Sequence, residues 1–236
     1  MSSRAWTIVA LCSWALWPSP ASANDGAMIA VGGAVSPITE HPSIRLAAEF
    51  VRIDFRRSPA EVECVFFLEN AGAATTATIG FPNESGGVGV HELVPFSSFV
   101  SYVDGDTTQI TVVPDAERVA YEDFNAWYVK TVPFAAGQTR CVRNVYTGTR
   151  GDYSTGHSAF EYILWTGATW AGTIGVADLV VKWDPTLAPF DSLSIRPDGY
   201  HISDDEIRWH FTDLEPGHGT DAANIHLSWR NRRTPR

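Results

Sequence analysis

Histidines are the side chains in this sequence best suited to chemistry, and they concentrate near its end. Four of the seven lie in the last 36 residues: His201, His210, His218 and His226. His210 and His226 fall on the predicted outward faces of two strands, near an acidic turn at 204–206. If those strands pair, imidazole and carboxylate ligands would suit Zn²⁺ or Cu²⁺. We predict solvated surface histidines and no metal site, with His210 and His226 as weak candidate ligands, because no two histidines are spaced i, i+2 or i, i+4.

Two cysteines, Cys64 and Cys141, lie outside the N-terminal apolar segment. In an oxidising compartment, two cysteines on separate strands can form one disulfide that closes a long loop. The alternation of residues places Cys64 on a buried face, whereas Cys141 alternates with Thr139 and Arg143 on the opposite parity. A disulfide therefore requires neighbouring strands or a change of register. The sequence leaves a Cys64–Cys141 disulfide and two free thiols as alternatives.

Motifs for nucleophilic catalysis and phosphate binding are absent. The chain has no Gly-x-Ser-x-Gly, and neither Cys64 nor Cys141 is next to a histidine in sequence. The glycine pairs at 32–33 and 86–87 have no following helix to supply phosphate-binding N–H groups. We therefore expect no catalytic residues and no cofactor. Trp127, Trp165 and Trp170 lie near predicted loops, where an exposed indole could stack on a sugar.

The N-terminal segment, residues 1–23, has the order of a cleavable signal peptide. Arg4 is its only charge, a run of about 13 apolar residues follows, and the small-residue triplet Ala21-Ser22-Ala23 ends it. The apolar run is shorter than the ~20 residues that cross a bilayer. We predict cleavage before Asn24, and a protein that is secreted or periplasmic.

The charge of the chain restricts its partners. A formal net charge of -10 disfavours nucleic acid, because Lys and Arg supply that affinity by neutralising phosphates. It also disfavours an anionic membrane surface. We expect an unknown protein or glycan partner, in the envelope or outside the cell, and no stable membrane insertion.

Period-2 alternation dominates the elements that position these residues. Val51, Ile53 and Phe55 share one parity, and the preceding run from 44 to 50 has the opposite parity, which predicts a bulge near Phe50. One short helix is predicted over 115–125, and long loops over 83–98 and 147–159. Many short strands between turn signals predict an all-β fold, an antiparallel β-sandwich. We place a boundary in the Gly/Ser/Thr-rich connector, between two Ig-like subdomains, 24–152 and 153–236, the second ending in a basic tail. The sequence leaves open whether these segments form two sandwiches or one continuous one.

Several strand–turn–strand blocks resemble a recurrent pattern. They are 62–70 followed by 74–82, with Asn70 at the turn and Phe81-Pro82 at the end, then 127–146, 214–216 and 224–229. The pattern is similar to that of a secreted bacterial β-sandwich family of unknown function and of the vault-protein/inter-alpha-trypsin (VIT) type domain. Asn144 stands where the pattern usually has an aliphatic residue. The resemblance implies a β-sandwich and an extracytoplasmic location, and it implies no reaction.

Taken together, the sequence predicts a non-enzymatic protein with a binding or structural role. Long loops on a β scaffold and the absence of a catalytic motif favour this interpretation. Two alternatives stay open: a hydrolase that uses carboxylates, and a carbohydrate-binding module. A deep pocket lined by two carboxylates with perturbed pKa values would favour the hydrolase.

Overall fold

The computed structural model describes residues 29–33, 36–37, 41–57, 59–86, 96, 98–114, 126–148, 151–152, 155–215, 217 and 224–231. The predicted signal peptide 1–23, the predicted helix 115–125 and the tail 232–236 lie outside them. Within them the chain forms seventeen strands and two short 3-10 helices. No helix in this part of the chain has the length and apolar character needed to cross a membrane.

The strands in chain order are β1 Ile29–Gly33, β2 Ser36–Pro37, β3 Ile44–Asp54, β4 Ala60–Asn70, β5 Thr75–Gly86, β6 Phe99–Val103, β7 Asp106–Thr108, β8 Thr111–Pro114, β9 Ala126–Phe134, β10 Thr139–Gly148, β11 Gly151–Asp152, β12 His157–Ile163, β13 Ile174–Lys182, β14 Ser194–Arg196, β15 His201–Ser203, β16 Glu206–Leu214 and β17 Ile225–Arg230. The 3-10 helices are Trp165–Thr169 and Phe190–Ser192.

These strands form two sheets that pack face to face. Sheet 1 has the order β14-β17-β12-β1-β5-β9-β8, with β11 beside β12 and β2 beside β5. Sheet 2 has the order β15-β16-β13-β3-β4-β10-β6-β7. Aromatic rings from the two sheets pack against each other. The ring centroid of Phe55, just after β3, lies 5.0 Å from that of Phe160 of β12, and the centroid of Phe81 of β5 lies 5.3 Å from that of Tyr146 of β10. The predicted all-β sandwich is confirmed.

The connector at 147–157 does not separate two sandwiches in the structure. In sheet 1, β12 pairs in parallel with β1, and in sheet 2, β13 pairs in parallel with β3. Each sheet therefore contains strands from both 24–152 and 153–236, and one core cluster draws residues from both segments. The connector instead carries the chain from β10 in sheet 2 to β12 in sheet 1. The predicted division into two subdomains is thus corrected to one mixed sandwich for the described residues.

A bulge in β3 determines which residues of that strand enter the core. The pairing of β3 with β4 shifts register between Leu46 and Ala48, three residues before the predicted position near Phe50. After the bulge, Glu49 points into the core and Phe50 points outward, where it is 42% exposed and packs edge-on against Phe67. Because the bulge precedes Glu49, the Glu49 carboxylate faces the core. A bulge near Phe50 would have turned the Phe50 ring inward instead.

The edge of each sheet is a place where the chain changes sheets. A turn at Asp104-Gly105, with positive φ at both residues, joins β6 to β7. The chain then crosses to sheet 1, where β8 pairs with β9. The chain makes a similar crossing between β14 of sheet 1 and β15 of sheet 2.

Candidate functional site

A depression of about 500 Å³ opens beside the edge strand β15 of sheet 2. Antiparallel pairing places Asp178 of β13 opposite His210 of β16, and His201 of β15 opposite Arg208 of β16. Successive side chains of a strand alternate between faces, so these four project from the sheet while Leu179 and Ile207 anchor the same strands in the core. The depression is lined by Asp178, Val180, Gly199, His201, Arg208, Trp209 and His210.

Ion pairs determine which groups in the depression are available to a ligand. The Nδ1 atom of His210 lies 2.6 Å from Oδ1 of Asp178, so the imidazole donates a hydrogen bond to the carboxylate. Glu206 binds both Arg208 and Lys182, with its carboxylate 3.0 Å from the Lys182 ammonium. The hydrogen bond from Lys182 and that from Arg208 lower the pKa of Glu206. The backbone of His201 pairs with β16, and its imidazole has no hydrogen-bond or ion-pair partner among the described residues.

The condition under which His210 and His226 could share a surface, pairing of their strands, is not met. His210 lies on β16 in sheet 2, whereas His226 lies on β17 in sheet 1, where its neighbours in register are Glu161 and Arg196. Both strands have the predicted alternation, but alternation carries no information on which sheet a strand joins. The histidine that shares a face with His210 is His201, and the Asp204-Asp205 turn between their strands was the sequence signal for this hairpin. No three or more His, Cys, Asp or Glu side chains among the described residues have metal-binding geometry.

The possible disulfide between Cys64 and Cys141 is absent, and both thiols are free. Their strands β4 and β10 are neighbours, but the register pairs Cys64 with Asn144 and Cys141 with Phe67. An offset of three residues puts the two side chains on opposite faces of sheet 2. Cys64 is buried in the core and Cys141 is half-buried on the outer face. The residue parity read from the sequence was therefore correct, and it prevents the disulfide.

A polar cluster that sequence reasoning did not identify lies inside the sandwich. Glu49 is fully buried, and its Oε1 atom accepts a hydrogen bond of 2.7 Å from the Tyr162 hydroxyl of the opposite sheet. That hydroxyl is also 3.6 Å from the Cys64 sulfur. Burial raises the pKa of Glu49 to about 8, against the opposing effect of the Tyr162 hydrogen bond. It also raises the pKa of Cys64 and of Tyr162. The Glu49 carboxyl is therefore mostly protonated at neutral pH.

Lys130 is a second buried ionisable group in the core. Its Nζ atom donates a 3.2 Å hydrogen bond to Oδ1 of Asn144, which also accepts a 2.7 Å bond from the Ser101 hydroxyl. Burial lowers the pKa of Lys130 to about 7. Lys130 is 3% exposed and Glu49 is 0% exposed, so a solute in water reaches neither in this structure. The polar groups around the depression, by contrast, are open to solvent.

The tryptophans do not form an exposed platform. The six outside the N-terminal segment are all at most 5% exposed: Trp127, Trp165, Trp170, Trp183, Trp209 and Trp229. Trp127 and Trp165, predicted near loops, pack together with Ile163 in a small cluster of their own. The expectation that Trp127, Trp165 or Trp170 could stack on a sugar is therefore corrected, because segments of the fold cover each indole.

Comparison with known proteins gives a likeness in fold. No protein-family model matches the sequence, and no curated protein matches it significantly. The structure is similar to that of a "putative nutrient binding protein" of Legionella pneumophila, at 18% identity and a TM-score of 0.67, over 86% of this chain and 72% of the other. An M1 zinc metallopeptidase of Deinococcus radiodurans gives 9% identity and a TM-score of 0.38, over 81% of this chain and 43% of the other. At these identities the first likeness shows the fold alone, and the second is too distant to carry an argument.

Proposed function

We propose that this protein is an exported binding protein that takes a small ligand in the depression at β13, β15 and β16. The observation that carries the proposal is the grouping of Asp178, His201, Arg208 and His210 on one open, concave surface. Binding sites of this kind combine a depression with a few polar groups that orient the ligand. These groups stand on paired strands whose inward residues are buried. Their backbone is therefore already ordered, and little conformational entropy has to be lost there when a ligand binds.

The fold likeness adds support of a weaker kind. The similar Legionella protein carries the name of a nutrient-binding protein, and a binding role for the present chain agrees with that name. The resemblance to secreted bacterial β-sandwich proteins and the signal-peptide pattern of residues 1–23 support an extracytoplasmic location. In this proposal the protein binds its ligand or partner in the envelope or outside the cell.

The two alternatives have less support. A carboxylate-dependent hydrolase needs a second carboxylate beside an accessible one of raised pKa, and Glu49 is enclosed by the core with Tyr162 as its partner. A carbohydrate-binding module needs an exposed aromatic surface, and the six tryptophans outside the N-terminal segment are buried. Tyr200, between the lining residues Gly199 and His201, is an exposed aromatic residue, and its ring centroid lies 5.9 Å from that of Trp209.

Thermal unfolding in the presence of candidate ligands tests the binding role. The probes are pooled amino acids, citrate, inorganic phosphate, glucose and Zn²⁺, each added to the purified full chain. A probe at a hundred times its Kd stabilises the folded state by about 2.7 kcal/mol, which raises the Tm of a chain of this size by roughly 5–10 °C. We expect at least one probe to raise the Tm, and the shift to shrink in His210→Gln.

The matched control is His157→Gln, which changes an exposed histidine at the start of β12 in the other sheet. It should keep the full shift. The proposal is wrong if no probe raises the Tm, or if His157→Gln and His210→Gln reduce the ligand-induced Tm shift by the same amount.

A further inference from the structure

We propose that the ligand of this depression is a free α-amino acid, bound through its carboxylate by Arg208 and His201 and through its ammonium group by Asp178. The inference rests on the proposed function, since it names the class of ligand for the same site. The observation that carries it is the pair of opposite charges in the lining, one on β13 and one on β16.

The register of β13 and β16 sets the spacing of the two charges. Asp178 is directly opposite His210, and Val180 is directly opposite Arg208, so Asp178 and Arg208 are diagonal neighbours on the outer face of sheet 2. Diagonal residues of an antiparallel pair are about 7–8 Å apart. Charge-assisted hydrogen bonds are about 2.7–2.9 Å long, and an α-amino acid carries its ammonium and carboxylate groups on the same carbon. A ligand of that length can bridge two side chains at this spacing.

Asp178 and Arg208 are not paired with each other. Among the described residues, the ion pair of Asp178 is with His210 and that of Arg208 is with Glu206. Each partner occupies only part of the charged group, because His210 contacts Oδ1 of Asp178 and Glu206 accepts from one terminal nitrogen of Arg208. The Asp178 side chain is 37% exposed and that of Arg208 is 55% exposed. Oδ2 of Asp178 and the other guanidinium N–H groups are therefore open to a ligand.

His201 adds a second donor at the carboxylate-binding end. It lies directly opposite Arg208 across the β15–β16 pair, and its imidazole has no hydrogen-bond or ion-pair partner among the described residues. A neutral imidazole carries one N–H and an imidazolium carries two, so either form can donate to a carboxylate oxygen. The guanidinium and the imidazole N–H side by side suit a carboxylate.

The overall charge of the lining favours a zwitterion over a simple ion. Asp178 and Arg208 contribute one charge of each sign, and Glu206 is matched by its second ion-pair partner, Lys182. A simple anion bound at Arg208 would be repelled by Asp178, and a simple cation bound at Asp178 would be repelled by Arg208. A zwitterion avoids both repulsions, because each of its charges meets a charge of opposite sign.

The rest of the lining leaves room for the side chain of the amino acid. Gly199 has a φ of +89°, which favours glycine, and a Cβ atom there would meet nothing within 4 Å. Val180 supplies a small aliphatic surface between the charged groups. We therefore expect the site to recognise the charged groups common to all α-amino acids and to select little among their side chains.

The test compares alanine with two analogues that each lack one charge. N-acetylalanine keeps the carboxylate, and alaninamide keeps the ammonium group. Each compound is titrated at pH 7 into the ¹⁵N-labelled full chain, and its Kd is taken from the amide shifts of Asp178, His201 and Arg208. We expect alanine to bind at least about tenfold more tightly than either analogue, because each analogue loses one set of charge-assisted hydrogen bonds.

Two variants assign each charge to its partner. Arg208→Gln should weaken alanine binding at least about tenfold without weakening alaninamide binding, because alaninamide has no carboxylate to lose the contact. Asp178→Asn should weaken alanine binding to a similar extent without weakening N-acetylalanine binding. The matched controls are Arg230→Gln on β17 and Asp191→Asn in the second 3-10 helix, both exposed, and they should bind alanine as the parent does.

The inference is overturned if alanine gives no saturable shift, or if it binds no more tightly than its two analogues. It is also overturned if Arg208→Gln and Asp178→Asn each weaken all three compounds equally. If alanine fails while citrate, phosphate, glucose or Zn²⁺ still raises the Tm through His210, the amino-acid assignment falls and the binding role stands. If no probe acts through the depression, both fall.

Discussion

At the scale of single residues, two ionisable side chains in the core set how stability depends on pH. Glu49 and Lys130 are both almost fully buried, and burial favours the neutral form of each. The Glu49 carboxyl is held by Tyr162, and the Lys130 ammonium by Asn144. Neither forms an ion pair with a described residue, so each carries a cost when it ionises.

The free energy of unfolding of the parent should fall as the pH rises, and in Glu49→Gln this fall should be absent. The pKa of Glu49 is raised from 4.5 to about 8 on folding, so the folded state binds this proton more tightly than the unfolded state. Its contribution is complete below pH 4.5 and is lost as the pH rises to 8, by roughly 3–5 kcal/mol. Urea unfolding from pH 4 to 9 should show the parent falling relative to Glu49→Gln across this range. Parallel curves would contradict the buried, neutral carboxyl.

The free energy of unfolding of the parent should fall as the pH is lowered, and in Lys130→Met this fall should be absent. The pKa of Lys130 is lowered from 10.5 to about 7, so the folded state holds this proton less tightly than the unfolded state. Its contribution is complete above pH 10.5 and is lost as the pH falls to 7, by roughly 3–5 kcal/mol. The free energy of unfolding of the parent should decline relative to Lys130→Met from pH 10 down to 7. A constant difference over that range would mean that the ammonium is solvated.

At this scale the sequence predicted a turn residue and the faces of two cysteines correctly. Asn70 was expected as a turn residue, and its side-chain amide donates to the carbonyls of Ala73 and Ala135 while its oxygen accepts from the Gly72 N–H. The opposite faces of Cys64 and Cys141 were also expected. Glu49 and Lys130 could not be predicted as core residues, because a charged residue in an alternating strand is normally a solvent-facing one.

At the scale of elements, the bulge of β3 and a glycine of β13 depend on each other. The bulge lies at Ala47, between Leu46 and Ala48, and β13 runs parallel to β3 beside it. A Cβ atom on Gly175 would lie 2.4 Å from the Ala47 carbonyl oxygen and 2.8 Å from Nη2 of Arg45. Backbone cannot yield as a flexible side chain does, so the close approach requires glycine.

Gly175→Ala should therefore destabilise the protein by about 1–3 kcal/mol, as overpacking against backbone does. Chemical denaturation measures the change in the free energy of unfolding. The matched control is Gly148→Ala on β10, where a Cβ would make ordinary 3.6 Å contacts with Phe160 and Val62. Equal stability of the two variants would show that β3 and β13 are less closely apposed than the structure has them.

The sequence indicated the existence of the bulge but not its effect. A change of parity shows that an extra residue lies somewhere in the run from 44 to 55, whereas its position within the run decides whether Glu49 or Phe50 faces the core. Both positions satisfy the alternation on either side, and only the pairing with β4 distinguishes them.

At the scale of the whole molecule, the sheets join the two ends of the chain. Parallel pairs β1–β12 and β3–β13 link segments more than a hundred residues apart in sequence. Local alternation predicted the fold class and many of the strands, because it reflects which side chains meet water. It could not predict the sheet to which each strand belongs, since long-range pairing is set by the complete fold. For that reason the sequence could not show that the strands of His210 and His226 lie in different sheets, or that segments on both sides of residue 152 share each sheet.

The fragment 24–152 should fail to fold alone. It lacks β12 and β13, which pair in parallel with β1 and β3, and it would leave one edge of each of those two strands unpaired. Its ¹H–¹⁵N spectrum should show the narrow dispersion of an unfolded chain, whereas 24–236 should give a dispersed spectrum and one cooperative unfolding transition. A dispersed, cooperatively unfolding fragment would restore the two-subdomain interpretation.

The binding role is tested most directly by mapping the backbone amides that respond when the amino acids, citrate, phosphate, glucose and Zn²⁺ are titrated into ¹⁵N-labelled protein. The structure predicts saturable shifts at Asp178, Gly199, His201, Arg208 and His210 for at least one probe, and little change near His157. Shifts confined to another surface, or no saturable shift for any probe, would contradict the assignment of this depression as the ligand site.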